Sequence, residues 1–369
     1  MNIEALPSVQ VPRPSAALRA IDMVLVGARG QVGSAFRAQL AQQEHVLRQE
    51  GICLRLLAAF DRRGFAFDAA GLAPQAVVQQ MRPREEGDRD RLLDLLYATR
   101  VNRAIVIDCT ASDDIADLYA GLLGSGVGVV AANKRANARD LATYQDLQRL
   151  ARDCRVPYRY ETTVGAAIPL LGPLRDLRLR GERVRSIHGV LSGSLSYILH
   201  RLHEGNSFSG AVREARDLGY TEPNPLEDLC AVDLARKVLV LAREAGFMLE
   251  YDAVSVEPLS ALHDVPPDAL INALTEEDAL WEERIAVARA RGERYVVIAQ
   301  IDQDGGRIVC RPVPANDPFA QLAPGQNLVS IRTDLQDRVP LSVSGAGAGV
   351  EITAAGVLSD VIAAAHGML

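Results

Sequence analysis

The chain has 369 residues, of which 48% are hydrophobic and 24% are charged, and its formal net charge is −7. This length is sufficient for two domains and a large core, and the composition is ordinary for a soluble globular protein. The negative charge argues against nucleic acid or an anionic membrane surface as a partner. We expect no membrane span, because no apolar run in the sequence reaches the length that a span requires.

The N-terminus and the cysteines predict the compartment. Residues 1–19 are expected to form a loose leader, since they contain three prolines and lack the basic and apolar regions of a signal peptide. The 5 cysteines are scattered along the chain, odd in number, and spaced neither like a zinc site nor like a disulfide framework. These features favour a reducing cytoplasm.

Strands and helices are predicted to alternate over the first 155 residues. The segments with this pattern are the strands 21–26, 54–60, 104–108 and 126–130 and the helices 34–43 and 113–124. Such alternation predicts a parallel sheet with right-handed crossovers.

The rest of the chain mixes the two element types in another order. The predicted strands are 183–191, 295–302 and 307–313, and the predicted helices are 196–202, 229–245, 275–291 and 353–366. We expect the last helix, which is rich in small residues, to pack back on the first sheet.

A glycine-rich loop, residues 27–33, follows the first strand and opens a helix. Small residues let the backbone approach a pyrophosphate, and the helix N-terminus supplies N–H groups and a positive dipole. The spacing is Gly-x-x-Gly-x-x-Gly, which alone is a weak signal because a tight strand-to-helix turn needs glycine without any cofactor. Together with the strand–helix–strand pattern, it predicts a Rossmann-type nucleotide-binding domain.

Four charged residues bear on the choice between NAD and NADP. Asp61 ends the second predicted strand, where an acid binds a ribose 2′-hydroxyl and favours NAD. Arg62 and Arg63 beside it, and Arg29 in the glycine loop, are suited to a 2′-phosphate and favour NADP. If all three arginines are solvated surface charges, they carry no information, so both cofactors remain open.

The stretch 219–237 brings together acidic residues, two prolines and a lysine. Pro223 and Pro225 oppose a helix before them. Asp228 is then expected to cap a helix that begins near Leu229. Glu222 precedes both prolines.

Asp233 and Lys237 lie four residues apart on that helix and therefore share a face. The same face carries Leu234 and Leu241, so we expect the pair to point inward. A lysine there needs a carboxylate partner or a depressed pKa, and either condition suits proton transfer to a developing alkoxide. The simpler alternative is a solvated salt bridge beside an acidic loop.

In order along the chain, a series of motifs resembles homoserine dehydrogenase. After the glycine loop, the segments that carry the resemblance are Asp108-Cys109-Thr110, Asn133-Lys134-Arg135-Ala136, Tyr160 to Pro169, Gly189 to Ile198, Gly219 to Pro225, Gly347-Ala348-Gly349 and Thr353 to Gly356. The chain is most similar to the dehydrogenase half of bifunctional aspartokinase–homoserine dehydrogenases, here without the kinase and without a C-terminal regulatory domain. The spacing after Asn133-Lys134 is one residue shorter than in the family, and Asn224 stands where the family often has Asp.

The resemblance implies an α/β fold with two domains. Residues 20–155 and 340–369 would form the Rossmann-type domain, and residues 156–339 an α+β catalytic and dimerisation domain. The implied reaction is reduction of L-aspartate 4-semialdehyde to L-homoserine, and its reverse, with NADPH or NADH, in threonine, methionine and isoleucine biosynthesis. A homodimer is implied as well, with no nucleic acid or membrane partner.

The resemblance also implies roles for particular residues. Lys237 would be the acid–base group, held by Asp233, and Glu222, Asp228 and Asp233 would bind the substrate. Lys134 would add a second charge near the oxyanion. The residues implied or proposed for the cofactor are Gly27, Arg29, Gly30, Gln31, Val32, Asp61, Arg62, Arg63, Thr110, Lys134 and Gly349.

A monovalent cation, Na⁺ or K⁺, is a further implication of the resemblance. The matching backbone carbonyls are those of Glu161, Val164, Ala166 and Ile168. A tight turn without any ion is the alternative, and the sequence does not choose between them.

Two alternative functions remain at this stage. One is another dehydrogenase of this architecture, such as an aspartate-semialdehyde or dihydrodipicolinate-type enzyme; an acylating enzyme would need a nucleophilic cysteine with a histidine partner, and no such pair is evident. The other is a regulatory or cofactor-sensing homologue, which is expected to lack one of the site groups. We interpret Cys109 and Cys230 as packing residues, and His200 and His203 as surface or core histidines.

Overall fold

A computed structural model of the protein describes residues 20–88, 90, 93–94, 103–222 and 224–368. The predicted leader at 1–19 and Pro223 lie outside these residues. Within them the chain forms two sheets, each accompanied by helices, and the last helix packs on the first sheet.

The strands are numbered in chain order. Their bounds are β1 Ala20–Val26, β2 Cys53–Phe60, β3 Gly64–Phe67, β4 Arg82–Pro83, β5 Ala104–Asp108, β6 Gly128–Ala131, β7 Tyr158–Arg159, β8 Val184–Val190, β9 Val254–Val256, β10 Glu293–Asp302, β11 Gly305–Pro314, β12 Gln326–Thr333 and β13 Leu341–Ala346.

The helices are numbered in the same way. Their bounds are α1 Gln31–Gln49, α2 Val77–Gln80, α3 Asp113–Ala116, α4 Tyr119–Gly124, α5 Leu141–Asp153, α6 Leu171–Leu179, α7 Gly193–His203, α8 Phe208–Asp217, α9 Pro225–Leu229, α10 Val232–Ala245, α11 Pro267–Leu274, α12 Asp278–Ala290 and α13 Val350–Met368. Short 3₁₀ turns lie at 136–138, 161–163, 251–253 and 275–277.

The first sheet has the strand order β4-β3-β2-β1-β5-β6-β7. The strands from β2 to β7 in this order pair in parallel, while β3 and β4 extend the edge with antiparallel pairing. Every residue of β5 and β6 is buried, as expected for parallel strands that are covered on both faces. The predicted parallel sheet and its α/β class are thus confirmed.

The second sheet has the order β13-β12-β8-β10-β11-β9 and is mixed. Its central strands pair antiparallel, and among the described strands of this sheet only β9 and β11 pair in parallel. Val329 and Ile331 of β12 turn one face toward the large core that helices α7, α8 and α10 share. This sheet is the α+β part that the sequence predicts.

Both boundaries between the two domains lie a few residues later in the chain than predicted. Strand β7 at 158–159 still pairs with β6, so the first sheet continues past 155. Strand β13 at 341–346 pairs with β12, so only α13, and not the segment from 340, returns to the first sheet. Backbone pairing, which the hydrophobic pattern does not specify here, sets both positions.

Helix α13 packs against α1 through Ala354, Val357 and Val361, all of which are buried. This helix is long enough and apolar enough to cross a membrane by length and composition. The expectation from the sequence, that no apolar run reaches this length, did not identify it. In the structure, its apolar residues form part of the core over the first sheet.

One predicted helix is divided. The segment 113–124 forms α3 and α4, separated at Asp117 and Leu118. The two short helices place Tyr119 at the start of α4, fully buried, where its hydroxyl reaches the end of β5.

Candidate active site

Helix α10 begins three residues later than predicted. Asn224, rather than Asp228, caps the preceding helix α9, its side chain accepting from the Leu226 N–H at 3.3 Å. Pro225 occupies the first turn of α9, where its missing N–H costs nothing. Ala231 then adopts a left-handed conformation (φ 54°), which separates α9 from α10. The kink leaves Asp228 free for contacts in the cleft.

The first turns of α10 carry an ion triad. The Asp233 carboxylate lies 3.1 Å from Lys237 Nζ and 3.3 Å from Lys134 Nζ. Lys237 Nζ also donates to the Leu191 carbonyl at 3.0 Å. Its side chain is 15% exposed, against 29% for Lys134. The predicted carboxylate partner of Lys237 is present, and a second lysine from the first sheet joins it.

The charges around Asp233 control its protonation. Burial alone would raise the pKa of Asp233, but the ammonium groups of Lys237 and Lys134 outweigh burial and hold the pKa well below its usual range. Asp233 is therefore an anion throughout the neutral range. It orients the two lysines and is not itself a proton donor there.

Asp228 lies in the same cleft with the opposite pKa shift. Its carboxylate accepts from Ser194 Oγ at 2.7 Å and from the Glu222 N–H at 2.8 Å. Burial raises the pKa of Asp228, the two hydrogen bonds oppose that rise, and the nearby charges of Glu222 and Asp233 add to it. The site thus holds one carboxylate that is strongly anionic and another that protonates more readily than a free aspartate.

The proposed substrate residues line one cavity of about 680 Å³. Glu222, Asp228, Asp233 and Lys237 are on its wall. From the cofactor side, Val32 of α1 and the segment Ala348-Gly349-Val350 complete the wall. The sequence-predicted site residues from three separate parts of the chain are therefore brought together.

The glycine loop makes a cradle that tolerates no side chain at its tightest point. A Cβ on Gly33 would lie 2.2 Å from the Gly27 carbonyl oxygen, and Gly27 itself has φ 85°. No side-chain hydrogen bond caps the N-terminus of α1, so its first N–H groups are available to a bound anion. Thr110 packs against this loop, since a Cβ on Gly27 would lie 3.0 Å from its methyl group. A pyrophosphate fits this backbone.

The acid expected at the ribose has a partner within the chain. Asp61 Oδ1 accepts from the Arg63 and Gly64 N–H groups at 2.8 and 2.9 Å, and Arg29 Nη1 lies 3.2 Å away. Asp61 Oδ2 is buried without a hydrogen-bond partner. Arg62 and Arg63 are exposed, whereas the Arg29 side chain is 23% exposed. The interpretation of Arg29 as a solvated surface charge is therefore wrong.

The carbonyls implied for a cation lie in a tight turn. Gly165 and Ala166 both have positive φ, at 77° and 54°. The side chain of Glu161 is engaged elsewhere, accepting from the Leu171 and Gly172 N–H groups at 2.6 and 2.8 Å at the start of α6. Among the described residues no group of three or more His, Cys, Asp or Glu side chains is arranged for a metal. The cation, which would use backbone oxygens of Glu161, Val164, Ala166 and Ile168, remains a prediction.

A buried hydrogen-bond cluster lies near the carboxyl ends of β5 and β6. Asp108 accepts from the Thr110 N–H at 2.8 Å, from Tyr119 at 2.6 Å and from Asn133 at 3.0 Å. Asn133 directly precedes Lys134. The cluster therefore connects the two loops that carry Thr110 and Lys134.

The cysteines and histidines that we interpreted from the sequence as structural are partly buried or have hydrogen-bond or ion-pair partners. Burial raises the pKa of the Cys109 and Cys230 thiols, which opposes nucleophilic reactivity. His203 Nε2 accepts from the Tyr295 N–H at 2.8 Å, and burial followed by nearby arginines lowers its pKa to about 4. His200 lies 3.3 Å from Glu204.

Sequence reasoning missed three contributors to the site. Ser194 binds Asp228, the Leu191 carbonyl binds Lys237, and Asn133 anchors the Lys134 loop. The signal for Ser194 was present, because it lies in the segment Gly189 to Ile198 that carries the resemblance. A backbone carbonyl such as that of Leu191 leaves no trace in sequence.

Family models match most of the chain. The model described as homoserine dehydrogenase matches residues 169–362, and the model described as homoserine dehydrogenase, NAD binding domain, matches residues 29–161. The first covers the second sheet and most of the cavity wall, and the second covers most of the glycine loop and the first sheet apart from β1.

Curated relatives and solved structures agree with these matches. The bifunctional aspartokinase/homoserine dehydrogenase of Haemophilus influenzae is 33% identical over 348 residues, which are 93% of this chain and 43% of the relative. A Candida auris protein of unknown function has a solved structure that is 31% identical, with a TM-score of 0.85 over 94% of this chain and 98% of that one. A hyperthermophilic archaeal homoserine dehydrogenase solved in complex with NADPH has the same fold, with a TM-score of 0.73 at 22% identity over 94% of this chain and 98% of that one.

The chain thus spans less than half the length of the bifunctional relatives, 43% of the Haemophilus influenzae protein and 37% of a chloroplastic relative from Zea mays. Both the matched models and the site geometry lie within that span. The chain belongs to the homoserine dehydrogenase family.

Proposed function

We propose that this chain catalyses the NAD(P)H-dependent reduction of L-aspartate 4-semialdehyde to L-homoserine, and its reverse. The observation that carries the proposal is the Lys134–Asp233–Lys237 triad beside a cavity that is bounded by the start of α1 and by Gly349. Family membership supports the same reaction. In a cell this step would serve threonine, methionine and isoleucine biosynthesis.

The nicotinamide cofactor supplies or accepts the hydride when it is bound. In the direction of reduction, the aldehyde oxygen gains negative charge as hydride reaches its carbon, and it needs one proton. The Lys237 ammonium, held by Asp233 and the Leu191 carbonyl, has a third N–H to give. It stabilises the oxyanion and then protonates it to the alcohol. In the reverse direction the neutral amine of Lys237 takes that proton.

Carboxylates on the cavity wall fit the substrate's α-ammonium group. The Glu222 N–H donates to the Asp228 carboxylate, and both residues line the cavity. Lys134 lies on the other side of Asp233 and adds positive charge near the developing oxyanion. The substrate would thus lie with its amine toward α9 and its aldehyde toward Lys237.

The test is a spectrophotometric assay of homoserine oxidation with NAD and NADP in parallel, at alkaline pH where oxidation is favoured. We expect turnover that depends on homoserine, is absent with other short hydroxy acids, and reverses with the semialdehyde and reduced cofactor. Absence of homoserine-dependent turnover in the folded protein would remove the proposal.

We further infer that NAD(H) is preferred over NADP(H). The buried Asp61 Oδ2 has no partner, and a ribose 2′-hydroxyl would satisfy it. Arg29 is paired with Asp61, so binding a 2′-phosphate would require this pair to separate. Replacement of Asp61 by Ser should move the ratio of kcat/KM values toward NADP, and an unchanged ratio would contradict the inference.

We also propose a monovalent cation at the 161–168 turn. The positive φ values of Gly165 and Ala166 reverse the backbone, as expected where carbonyls converge on an ion. Turnover measured in Na⁺, K⁺ and choline salts at equal ionic strength tests it, because choline is too large for a carbonyl cage. Equal rates in all three salts would count against the ion.

A homodimer is proposed through the outer face of the second sheet. Neighbouring strands β12, β8 and β10 place Ser330, His188 and Gln300 in one row on that face, and all three are half-buried. A second copy covering this polar row would pair it with itself about a two-fold axis. Light scattering during size-exclusion chromatography should give twice the chain mass, and a monomer would overturn the proposal.

We propose the cytoplasm as the compartment. Each of the 5 cysteines, all of which lie among the described residues, is a free thiol, which suits a reducing environment. Neither a membrane nor a nucleic acid partner is proposed. Fractionation of the native cells with an antibody to the chain would test the location.

A further inference from the structure

Asn133 is an almost fully buried amide, 1% exposed, and its side-chain oxygen and nitrogen both make hydrogen bonds. Its Nδ2 donates to Asp108 Oδ2 at 3.0 Å and to the Ser112 carbonyl at 2.9 Å. Its Oδ1 accepts from the Arg135 N–H at 3.0 Å. That last bond spans Lys134, because a side-chain oxygen bonded to the N–H two residues on closes a turn around the residue between them.

The anchor of this turn is deep in the first sheet. Asp108 is 0% exposed at the end of β5, and Tyr119 donates to the same Oδ2 that Asn133 uses, at 2.6 Å. Asp108 cannot shift without disturbing the Thr110 N–H that it also holds. The loop that carries Lys134 is therefore tied to a fully buried carboxylate that makes three hydrogen bonds at the end of β5.

Lys134 needs such an anchor. Its contact with Asp233 is a single ion pair of 3.3 Å between side chains that are 29% and 42% exposed, and pairs that exposed hold a lysine weakly. Asp233 is also shared with Lys237. The position of the Lys134 ammonium therefore depends on where its backbone is held.

We propose that Asn133 is a positioning residue that sets the Lys134 ammonium against Asp233 and the reacting oxygen. The inference rests on the proposed function, since it gives Lys134 a place in that reaction. Asn133 is buried and is not on the cavity wall; it acts through the turn around Lys134.

Tyr119 offers a matched control. Asn133→Ala and Tyr119→Phe each remove one hydrogen bond to the same oxygen of Asp108, but only the first releases the Lys134 turn. If the cluster only stabilises the fold, both variants should keep the turnover of the parent, although Asn133→Ala should lower the melting temperature more because it also removes the bonds to Ser112 and Arg135. If Asn133 positions Lys134, turnover falls in one variant alone.

The experiment compares kcat, KM for homoserine, cofactor affinity and melting temperature for the full-length protein and these variants. We expect Asn133→Ala to lower kcat about 100-fold, the cost of misplacing a reacting group by about 1 Å. The Kd of the nicotinamide cofactor should change little. Tyr119→Phe should also lower the melting temperature, by less than Asn133→Ala, but keep kcat within about threefold of the parent.

Asn133→Ser covers the case in which the alanine variant does not fold. A serine hydroxyl can accept from the Arg135 N–H and close a similar turn, so it should restore kcat to within about tenfold of the parent. In a Lys134→Met background, Asn133→Ala should have almost no further effect on kcat, because the group that it positions is already absent.

The outcomes separate the two proposals. A parent protein that does not oxidise homoserine overturns the proposed function, and the positioning role with it. An active parent in which Asn133→Ala and Tyr119→Phe behave alike, or in which Asn133→Ala has its full effect without Lys134, overturns the positioning role and leaves the proposed function standing.

Discussion

The two ends of helix α10 do different work with similar residues. At its start, Asp233 and Lys237 face a cavity, and the Asp233 side chain is 42% exposed. At its end, Arg243 is fully buried and Glu244 is 2% exposed. Both ends have an acid and a base, so residue type alone does not distinguish a reactive pair from an anchoring one. The number of hydrogen-bond and ion-pair partners around each pair distinguishes them.

The partners at the end of α10 leave little unsatisfied. Glu244 accepts from Tyr160 and from Tyr144, and it pairs with Arg175 at 3.3 Å. Arg243 donates to carbonyls of Asn137, Arg139 and Leu249. These contacts bind the end of α10 to the segments that follow β6 and β7 of the first sheet. At the start of α10, the Lys237 ammonium has two partners among the described residues, and the residue lines the cavity.

The largest expected effect comes from breaking the reactive end. Lys237→Ala should lower kcat by about 10³-fold or more, because it removes both the proton donor and the charge next to the oxyanion. Steady-state kinetics with homoserine measure this, and fluorescence titration should show that reduced cofactor still binds. Arg236→Ala removes a neighbouring positive charge that is not on the cavity wall and should stay within about threefold of the parent. Near-parental turnover in Lys237→Ala would exclude that residue from the mechanism.

Breaking the anchoring end should cost stability instead. Glu244→Ala leaves Arg175 and two tyrosine hydroxyls without their acceptor, and we expect the free energy of unfolding to fall by about 3 to 5 kcal/mol. Urea unfolding followed by circular dichroism gives this value. The control is Glu250→Gln, where a half-exposed carboxylate pairs with Arg243 at 3.5 Å, and the loss should be below about 1 kcal/mol. Equal losses in both variants would show that burial does not distinguish the two acids.

A milder change at the reactive end tests how the two lysines share Asp233. Asp233→Asn keeps the shape but removes the charge between Lys134 and Lys237, and kcat should fall about 10- to 100-fold. Glu227→Gln, an exposed acid on α9, is the matched control and should behave like the parent. If Asp233→Asn equals Lys237→Ala in effect, the carboxylate has a larger role than orienting the lysines.

The smallest effect concerns Asp228 and depends on pH. Burial raises its pKa above the unfolded value, so its contribution to stability is complete below about pH 4 and is lost as the pH rises through the folded pKa. At pH 8 the ionised carboxylate therefore costs stability, and Asp228→Asn should stabilise the fold by at most about 1 kcal/mol while raising KM for homoserine. Thermal unfolding at pH 8 and near pH 4 checks the sign, because the advantage of Asn should disappear in acid. A variant less stable than the parent at pH 8 would contradict it.

How far the sequence predicts this site depends on the range of each contact. Asp233 and Lys237 are separated by one helical turn, so their pairing followed from spacing alone. The glycine loop was equally legible, since the backbone conformation of Gly27 and the space at Gly33 are local requirements. The cap of α9 could not be predicted, because Asn and Asp are both good N-cap residues. The choice between Asn224 and Asp228 depends on the backbone conformation around the prolines, which the sequence does not specify.

Contacts between distant segments did not follow from spacing, although the resemblance implied that Lys134 and Lys237 act near the same oxyanion. Nothing in the spacing indicated that Lys134 would join Asp233, that Ser194 would bind Asp228, or that Arg29 would pair with Asp61. These contacts depend on how strand ends and helix starts meet in three dimensions.

By itself the sequence determined the alternation of strands and helices, the tight turn before α1 and the acid–base pair on one helical face. Each of these follows from steric and hydrogen-bonding limits that act between residues close along the chain. Tertiary structure alone decided which acid–base pair would face a cavity and which would be buried. That choice depends on solvent exclusion by segments remote in sequence, because the environment of a charge, and not its identity, sets what it can do.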